Sequence, residues 1–340
     1  MILLDAIYIN QSGGKVLLDY LIEVFESEHL DCFYLLDARL ENEYPELAAD
    51  RCMYMPASLL RRHRFYKKHK DRFEKILCFG NLPPSVKCKA DVYTFFHQSL
   101  YLKVPENVGL RQRLMLKLKS RILGGLINNT NYFLVQTPTI KKGLIKRYNL
   151  KESKVWTMPF YPSLPEPDPS IKGVENTFIY VSSGAEHKNH PRLLEAFKQF
   201  YQKYGKGELI VTIPEFFPDV YEQIQGLQEQ GIPIKNIGYI SHDELSSHYA
   251  AAQYMIFPSL AECLPLGLVE SMQFDLKVLA ANLDYTYEVL KPSVSFDPLD
   301  SQAIFKAFER TLNEQLPKTE PVVSNQIGKI VELMRPTSPV

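Results

Sequence analysis

Along this chain, short runs of apolar residues alternate with longer stretches in which apolar positions recur at helical spacing. In the first half the runs fall at 2–9 (ILLDAIYI), 32–36, 75–79, 92–96, 131–135 and 154–158. Helix-like stretches separate them at 15–28, 57–73, 108–127 and 138–148. In the second half, strands are expected at 177–182 (TFIYVS), 208–213 (ELIVTI), 253–257 (QYMIF) and 277–281 (KVLAA). Helices should fall near 190–204, 219–230, 242–251, 265–274 and 300–314. Alternation of this kind predicts an α/β protein whose parallel sheets are joined by right-handed crossovers. Two doubly wound domains then face each other, with ligands at the C-terminal ends of the strands and in the cleft between them.

The boundary lies where Pro159, Pro162, Pro165, Pro167 and Pro169 crowd together. No helix or central strand tolerates that density, so the stretch reads as a stiff, extended linker. The expected organisation is an N-terminal domain over 1–163 and a C-terminal domain over 164–320. A last helix in 321–340 would pack back towards the N-terminal domain. A chain of 340 residues with 45% hydrophobic and 23% charged residues has the proportions of a globular protein, which excludes disordered and fibrous classes. No run approaches the ~18 apolar residues of a membrane span, and MILLDAIYIN lacks a basic region and a cleavage site. The expectation is a cytoplasmic protein that can still rest on the inner face of a membrane. Five scattered cysteines without CxxC spacing read as reduced thiols, so no metal site is expected.

Net charge is zero, yet it is unevenly spread. Residues 1–163 hold 25 Lys and Arg against 16 Asp and Glu, and the remainder holds 14 against 23. One half is therefore suited to an anionic surface. Segments 59–73 (LLRRHRFYKKHKDRF) and 110–127 supply much of the excess. In the second, Leu110, Leu114, Leu118 and Ile122 recur at helical spacing beside Arg113, Lys117 and Arg121. That stripe suits either an interfacial helix on anionic lipid or a solvated helix over the domain core. Arg61, Arg62, Lys67, Lys68, Arg113 and Lys117 are the candidate membrane-facing residues. Nucleic acid is not an expected partner, because aromatic platforms and known motifs are missing.

Four places could carry chemistry. Gly13 and Gly14 follow the first strand and open a helix, so they form either a phosphate cradle or a plain tight turn; GxGxxG is absent. His97 ends the apolar run 92–96, where a histidine bonds a substrate hydroxyl or is a satisfied structural residue. Lys188 follows the strand at 177–182 in Ser182-Ser183-Gly184-Ala185-Glu186-His187-Lys188, where a cation can neutralise a diphosphate. Glu262 and Glu270 stand eight apart, one in the loop after a strand and one in the next helix. A carboxylate in that helix can accept bonds from two ribose hydroxyls, while the loop carboxylate can reach a sugar.

With these residues in view, the chain from Val155 to about Asp300 resembles the C-terminal half of GT-B glycosyltransferases of the retaining family-4 group. The resemblance rests on Gly238-Tyr239-Ile240-Ser241, the helix opening at Glu244-Leu245 with Tyr249 and Ala252, Pro258-Ser259, and Glu262 with Glu270. The N-terminal half matches more loosely, through Gly13-Gly14, His97 and Gln136-Thr137-Pro138. It implies that a UDP- or GDP-sugar, a substrate rather than a cofactor, lies against the C-terminal domain. Glu270 would hold the ribose, Glu262 a donor-sugar hydroxyl and Lys188 the diphosphate. Backbone at Tyr239 and Ile240 would edge the base, and Ser183, His187, Leu264, Pro265 and Leu266 would complete the donor site. Gly14 would approach the phosphates and His97 the donor sugar, so His97, Lys188 and Glu262 are the implied catalytic residues. In such enzymes a leaving-phosphate oxygen is thought to take the acceptor proton.

Three features depart from the family. Ser183 stands where an arginine is usual, and Cys263-Leu264-Pro265-Leu266-Gly267 replaces the usual loop after the first glutamate, where Pro265 cannot donate an N–H. The chain is also short. No Asp-x-Asp occurs, which favours metal-free transfer. The activity that the resemblance implies is transfer of a sugar to a glycan or lipid-linked glycan in bacterial capsule or O-antigen assembly. An inactive nucleotide-sugar-binding scaffold and a nucleotide-sugar epimerase are the alternatives.

Overall fold

A computed structural model describes residues 1–102, 109–242 and 244–336. The outer ends of the helices expected at 108–127 and 321–340, and position 243, lie outside these residues. The chain divides into two units, Met1–Pro162 joined by the chain from Ser324 onward, and Ser163–Val323.

The first unit is built on seven strands: β1 (Ile2–Ala6), β2 (Cys32–Asp37), β3 (Cys52–Met55), β4 (Lys75–Cys78), β5 (Asp91–Phe96), β6 (Tyr132–Val135) and β7 (Val155–Thr157). All pair in parallel in the order β3-β2-β1-β4-β5-β6-β7. The helices are α1 (Ser12–Ser27), α2 (Leu59–His69), α3 (Leu110–Leu126) and α4 (Pro138–Tyr148). Central parallel strands are covered on both faces, hence the unbroken burial of β1 and β2. Beneath α2, Phe65 and Tyr66 pack with Leu3, Ile7, Ile76 and Cys78.

That contact contains a buried charge. Asp5 in β1 is 2% exposed, and its Oδ2 accepts from Arg62 Nε at 2.8 Å and from the Tyr66 hydroxyl at 2.5 Å. The rest of the Arg62 guanidinium donates to the carbonyls of Pro83 and Leu82 at 2.8 and 2.7 Å. Arg62, also 2% exposed, is therefore not membrane-facing. In a helix that reads as uniformly basic, the residue that faces β1 is the one that meets Asp5. Arg61, Lys67, Lys68 and Lys117 are exposed, and Arg113 is half-buried.

The second unit contains β8 (Thr177–Tyr180), β9 (Glu208–Val211), β10 (Ile234–Asn236), β11 (Tyr254–Phe257), β12 (Lys277–Ala281), β13 (Leu290–Lys291), β14 (Val294–Phe296) and β15 (Glu320–Pro321). Six form a parallel sheet in the order β10-β9-β8-β11-β12-β14, and β13 pairs with β15 as an antiparallel ribbon. Its helices are α5 (His190–Tyr204), α6 (Pro218–Glu229), α7 (Leu245–Ala251), α8 (Leu266–Gln273), α9 (Asp284–Val289) and α10 (Ser301–Asn313). The strands that the apolar pattern missed are short and mostly peripheral. β3 and β10 are sheet edges; β10 (Ile-Lys-Asn) forms no apolar run, and β3 (Cys-Met-Tyr-Met) is a run of only four, partly exposed.

The proline-rich stretch is not a loose tether. Phe160 is fully buried, and its N–H donates to Gln136 Oε1 at 3.2 Å in the first unit. Leu164 exchanges two backbone bonds with the Gln273 amide in the second, at 2.9 and 2.6 Å. At the other end of the chain α11 (Ile327–Met334) buries Ile330, Val331 and Met334 and packs beside α1. Lys75 Nζ donates to the Leu333 carbonyl at 2.8 Å, supplying a cation to a helix C-terminus.

Candidate functional site

In the second sheet the chain winds outwards from β8 through β9 to β10, then crosses to β11 and winds the other way. β8 and β11 are therefore the switch point, where the following loops diverge and leave a crevice. Lys188 lies in the loop after β8 and Glu262 in the loop after β11. Their side chains meet, Nζ to Oε1 at 2.6 Å, with 17% and 10% of their surfaces exposed.

The two loops are bolted together before either side chain is considered. Asn189 holds a left-handed backbone, with φ 63°, and its amide donates to the carbonyls of Pro258 and Pro298 at 3.1 and 2.7 Å. Leu260 N–H donates to the His187 carbonyl at 2.7 Å, and the Tyr180 hydroxyl to the Lys188 carbonyl at 2.9 Å. Tyr285 steadies the second loop through the Ser259 carbonyl at 2.6 Å. Such over-determined loops hold a charged pair at fixed geometry. Gly184 belongs to the same arrangement, because a Cβ there would lie 2.5 Å from Phe217 Cβ.

Ser183 offers its carbonyl to His190 Nε2 at 3.0 Å, which makes that nitrogen the donor. Burial pushes the His190 pKa down to about 4. Burial also lowers His187, with the Lys188 charge acting in the same direction. Both imidazoles are neutral at pH 7, and the cation at this site is Lys188.

Beyond Glu262 the chain passes Leu264 and Pro265, both buried, and enters α8 at Leu266. Pro265 is the residue that caps this helix, so its missing N–H falls where no intrahelical bond is due. Glu270, in the second turn of α8, is 6% exposed. Its Oε2 accepts from the Tyr249 hydroxyl at 2.7 Å, and His242 Nε2 lies 3.2 Å from Oε1. Tyr249 belongs to the motif read from the sequence, but nothing there assigned it a role, and His242 carried no signal of a site. Tyr239 is 82% exposed after Gly238, whose φ of +68° supplies the tight turn at the end of β10; Ile240 is half-buried.

In the first unit, Gly13 and Gly14 form the first turn of α1. A Cβ on Gly14 would stand 3.7 Å from His97 Cε1, so the glycine and the histidine share one small space. The His97 ring sits against Phe79 and Phe95, with centroids 5.0 and 5.6 Å away. Desolvation pushes its pKa down to about 4. Its backbone N–H donates to Asn81 Oδ1 at 2.7 Å, from a residue with φ 65°. Asn81 was not found from sequence; the Gly80-Asn81-Leu82-Pro83 composition signals a turn but no partner.

Comparison with known proteins bears on both units. The family described as Glycosyl transferases group 1 matches residues 166–326. The O-antigen chain mannosyltransferase RfbU of Salmonella typhimurium is 21% identical over 212 residues, which cover 60% of this chain and 56% of that protein. The chain thus spans little more than half the length of that curated relative. Among solved structures, the sucrose-phosphate synthase of Thermosynechococcus elongatus superposes with a TM-score of 0.70 at 18% identity, covering 98% of this chain and 93% of that one. HepE of Anabaena, solved with UDP-glucose, gives 0.67 at 13% identity, with 92% and 89% covered. The second unit of this chain is accordingly a glycosyl transferases group 1 domain, and the chain has the two-sheet GT-B fold.

Proposed function

We propose that the protein transfers a glycosyl unit from a nucleotide diphosphate sugar to a growing glycan, carried on a lipid, in bacterial cell-surface polysaccharide assembly. The observation that carries this reading is the Lys188–Glu262 pair at the β8/β11 switch point, with Glu270 in the helix that follows. A diphosphate arriving there exchanges its charge for that of Glu262 at Lys188, and the freed carboxylate accepts from a donor-sugar hydroxyl. The Glu270 carboxylate, oriented by Tyr249, has lone pairs left for a ribose. Departure of the nucleotide diphosphate builds negative charge, which a fixed ammonium and the free N–H groups at the start of α8 stabilise. Neutral His97 can donate to or accept from a sugar hydroxyl. The acceptor proton leaves with a phosphate oxygen, so the anomeric configuration is retained without an enzyme nucleophile.

The names of RfbU and of the solved complex of HepE with UDP-glucose support a sugar acceptor and a nucleotide-sugar donor. Metal-free transfer is part of the proposal, because Lys188 supplies the positive charge that a bridging cation would bring and no Asp-x-Asp is present to hold one. The test is release or transfer of sugar from UDP- and GDP-sugars. Activity should disappear in Lys188→Ala and Glu270→Ala and persist in EDTA. A second reading, a scaffold that binds nucleotide without moving sugar, draws on Ser183, which offers a carbonyl where the family has a cation. Nucleotide binding with no sugar ever released would favour it, and a new epimer formed from donor alone would favour an epimerase.

A further inference from the structure

We propose that the face of the first unit that carries α2, α3 and α4 docks on an anionic lipid bilayer. The stripe at Leu110, Leu114, Leu118 and Ile122 has two readings, core or interface, and the structure separates them: Ile122 is half-buried, whereas the three leucines turn outwards. These residues are 73%, 58% and 59% exposed, and Met115 is 51% exposed. The core side of α3 is instead made by Leu116, Ser120 and Leu123. Leu59 and Leu60, in the first turn of α2, are 48% and 57% exposed. Isolated surface leucines are ordinary, but two helices of one unit that both turn their leucines outwards are not.

The charges identify the occupant. Together α2, α3 and α4 contain fourteen Lys and Arg and no Asp or Glu, and of these only Arg62 is buried. α1 contains Lys15 against Asp19, Glu23 and Glu26. The steps from β3 to β4, β5 to β6 and β6 to β7 all run one way along the sheet, whereas β1 to β2 runs the other way. Right-handed crossovers therefore put α2, α3 and α4 on one face and α1 on the opposite face. The Ser120–Tyr148 hydroxyl contact of 2.8 Å joins α3 to α4 on that face. One side of the sheet is cationic with outward leucines, which is the chemistry of an anionic interface. A nucleic acid would use the cations and leave the leucines idle.

This docking also sets an orientation. A helix that follows a parallel strand begins at the C-terminal edge of the sheet. Leu59, Leu60 and Leu110 occupy such first turns, and Leu114 stands one turn further on. His97 and Gly14 lie at the same edge, which is thereby brought to the lipid surface. The inference does not depend on sugar transfer.

The test is co-sedimentation with phosphatidylcholine vesicles, with and without phosphatidylglycerol. Binding is expected only with the anionic lipid. It should weaken about fivefold for each of Lys117→Gln and Arg121→Gln, and at least about tenfold in Leu114→Ser/Leu118→Ser. Thermal midpoint and nucleotide affinity should be unchanged in all of these variants. No vesicle binding, or equal binding to neutral vesicles, would overturn the proposal. Leucine variants that bind as well as the parent while the glutamine variants weaken would overturn docking of this face into the bilayer, leaving a charge attraction that any polyanion satisfies. A change in sedimentation of the leucine variants alone, without lipid, would overturn it in favour of a second copy of the chain.

Discussion

Neither charge of the Lys188–Glu262 pair is spare, and that sets what happens when one is removed. Lys188→Ala strands a nearly buried carboxylate and deletes the cation that the two loops hold at this point. Charge-assisted contacts contribute about 1.5–3 kcal/mol each, so nucleotide diphosphate affinity should fall about ten- to a hundredfold by calorimetry. Nucleoside affinity should change little. His97 and His190 carry a different consequence. Both have their pKa pushed down to about 4 from an ordinary 6.5. Between those values the unfolded chain binds protons that these imidazoles refuse, so this part of the stability is lost as pH falls from 6.5 towards 4. Denaturant titrations across that range should show the loss, with a shallower slope in His97→Gln. At this scale the positions of His97 and Glu262 after strands and of Glu270 in the next helix were legible, because strand ends and helix starts can be read locally; their roles belong to the proposal. Asn81, His242 and Tyr249 act through partners 16, 28 and 21 residues away, and nothing local encodes that meeting.

Elements were legible in proportion to their length and periodicity. α4 and α5 begin and end where the pattern puts them, because both ends carry local signals. Pro138 and Pro191 stand at the helix starts, and Asn149 and Gly205 take left-handed conformations at the ends. β10 (Ile-Lys-Asn) and β14 (Val-Ser-Phe) have three residues each with a polar one in the middle, so no apolar run marks them. Contacts between elements were less legible still, and two of them are testable. Gly184→Ala forces the loop after β8 away from Phe217, and such overpacking costs about 1–3 kcal/mol. The thermal midpoint should drop, and nucleotide binding should weaken with it because Lys188 shares that loop. Arg62→Leu leaves Asp5 buried with no cation, and breaking a buried pair on one side costs about 3–5 kcal/mol. Urea denaturation should register that loss, far more than Arg61→Leu on the exposed face of the same helix.

For the whole molecule, the division into two sheets was readable from the alternation of patterns and from the prolines between them. Two features were not. The linker is pinned by Phe160 to one unit and by Leu164 to the other, through glutamines that no linker rule anticipates. The return of a C-terminal helix to the first unit was expected from the sequence, but the bond from Lys75 that holds the end of α11 there was not. Removing the chain after Val323 should lower the melting temperature of the first unit by several degrees. The truncation takes away the buried Ile330, Val331 and Met334 and exposes the apolar surface they cover.

Sugar transfer as proposed requires a nucleotide diphosphate to be held at the switch point of the second sheet. The most direct measurement is calorimetric titration of UDP, GDP and their sugar conjugates into the parent protein, Lys188→Ala and Glu270→Gln. The predicted result is that one base series binds the parent and loses at least about tenfold in affinity in each variant. Binding that is equal in all three proteins, or no binding of any of these ligands to the parent, would contradict it.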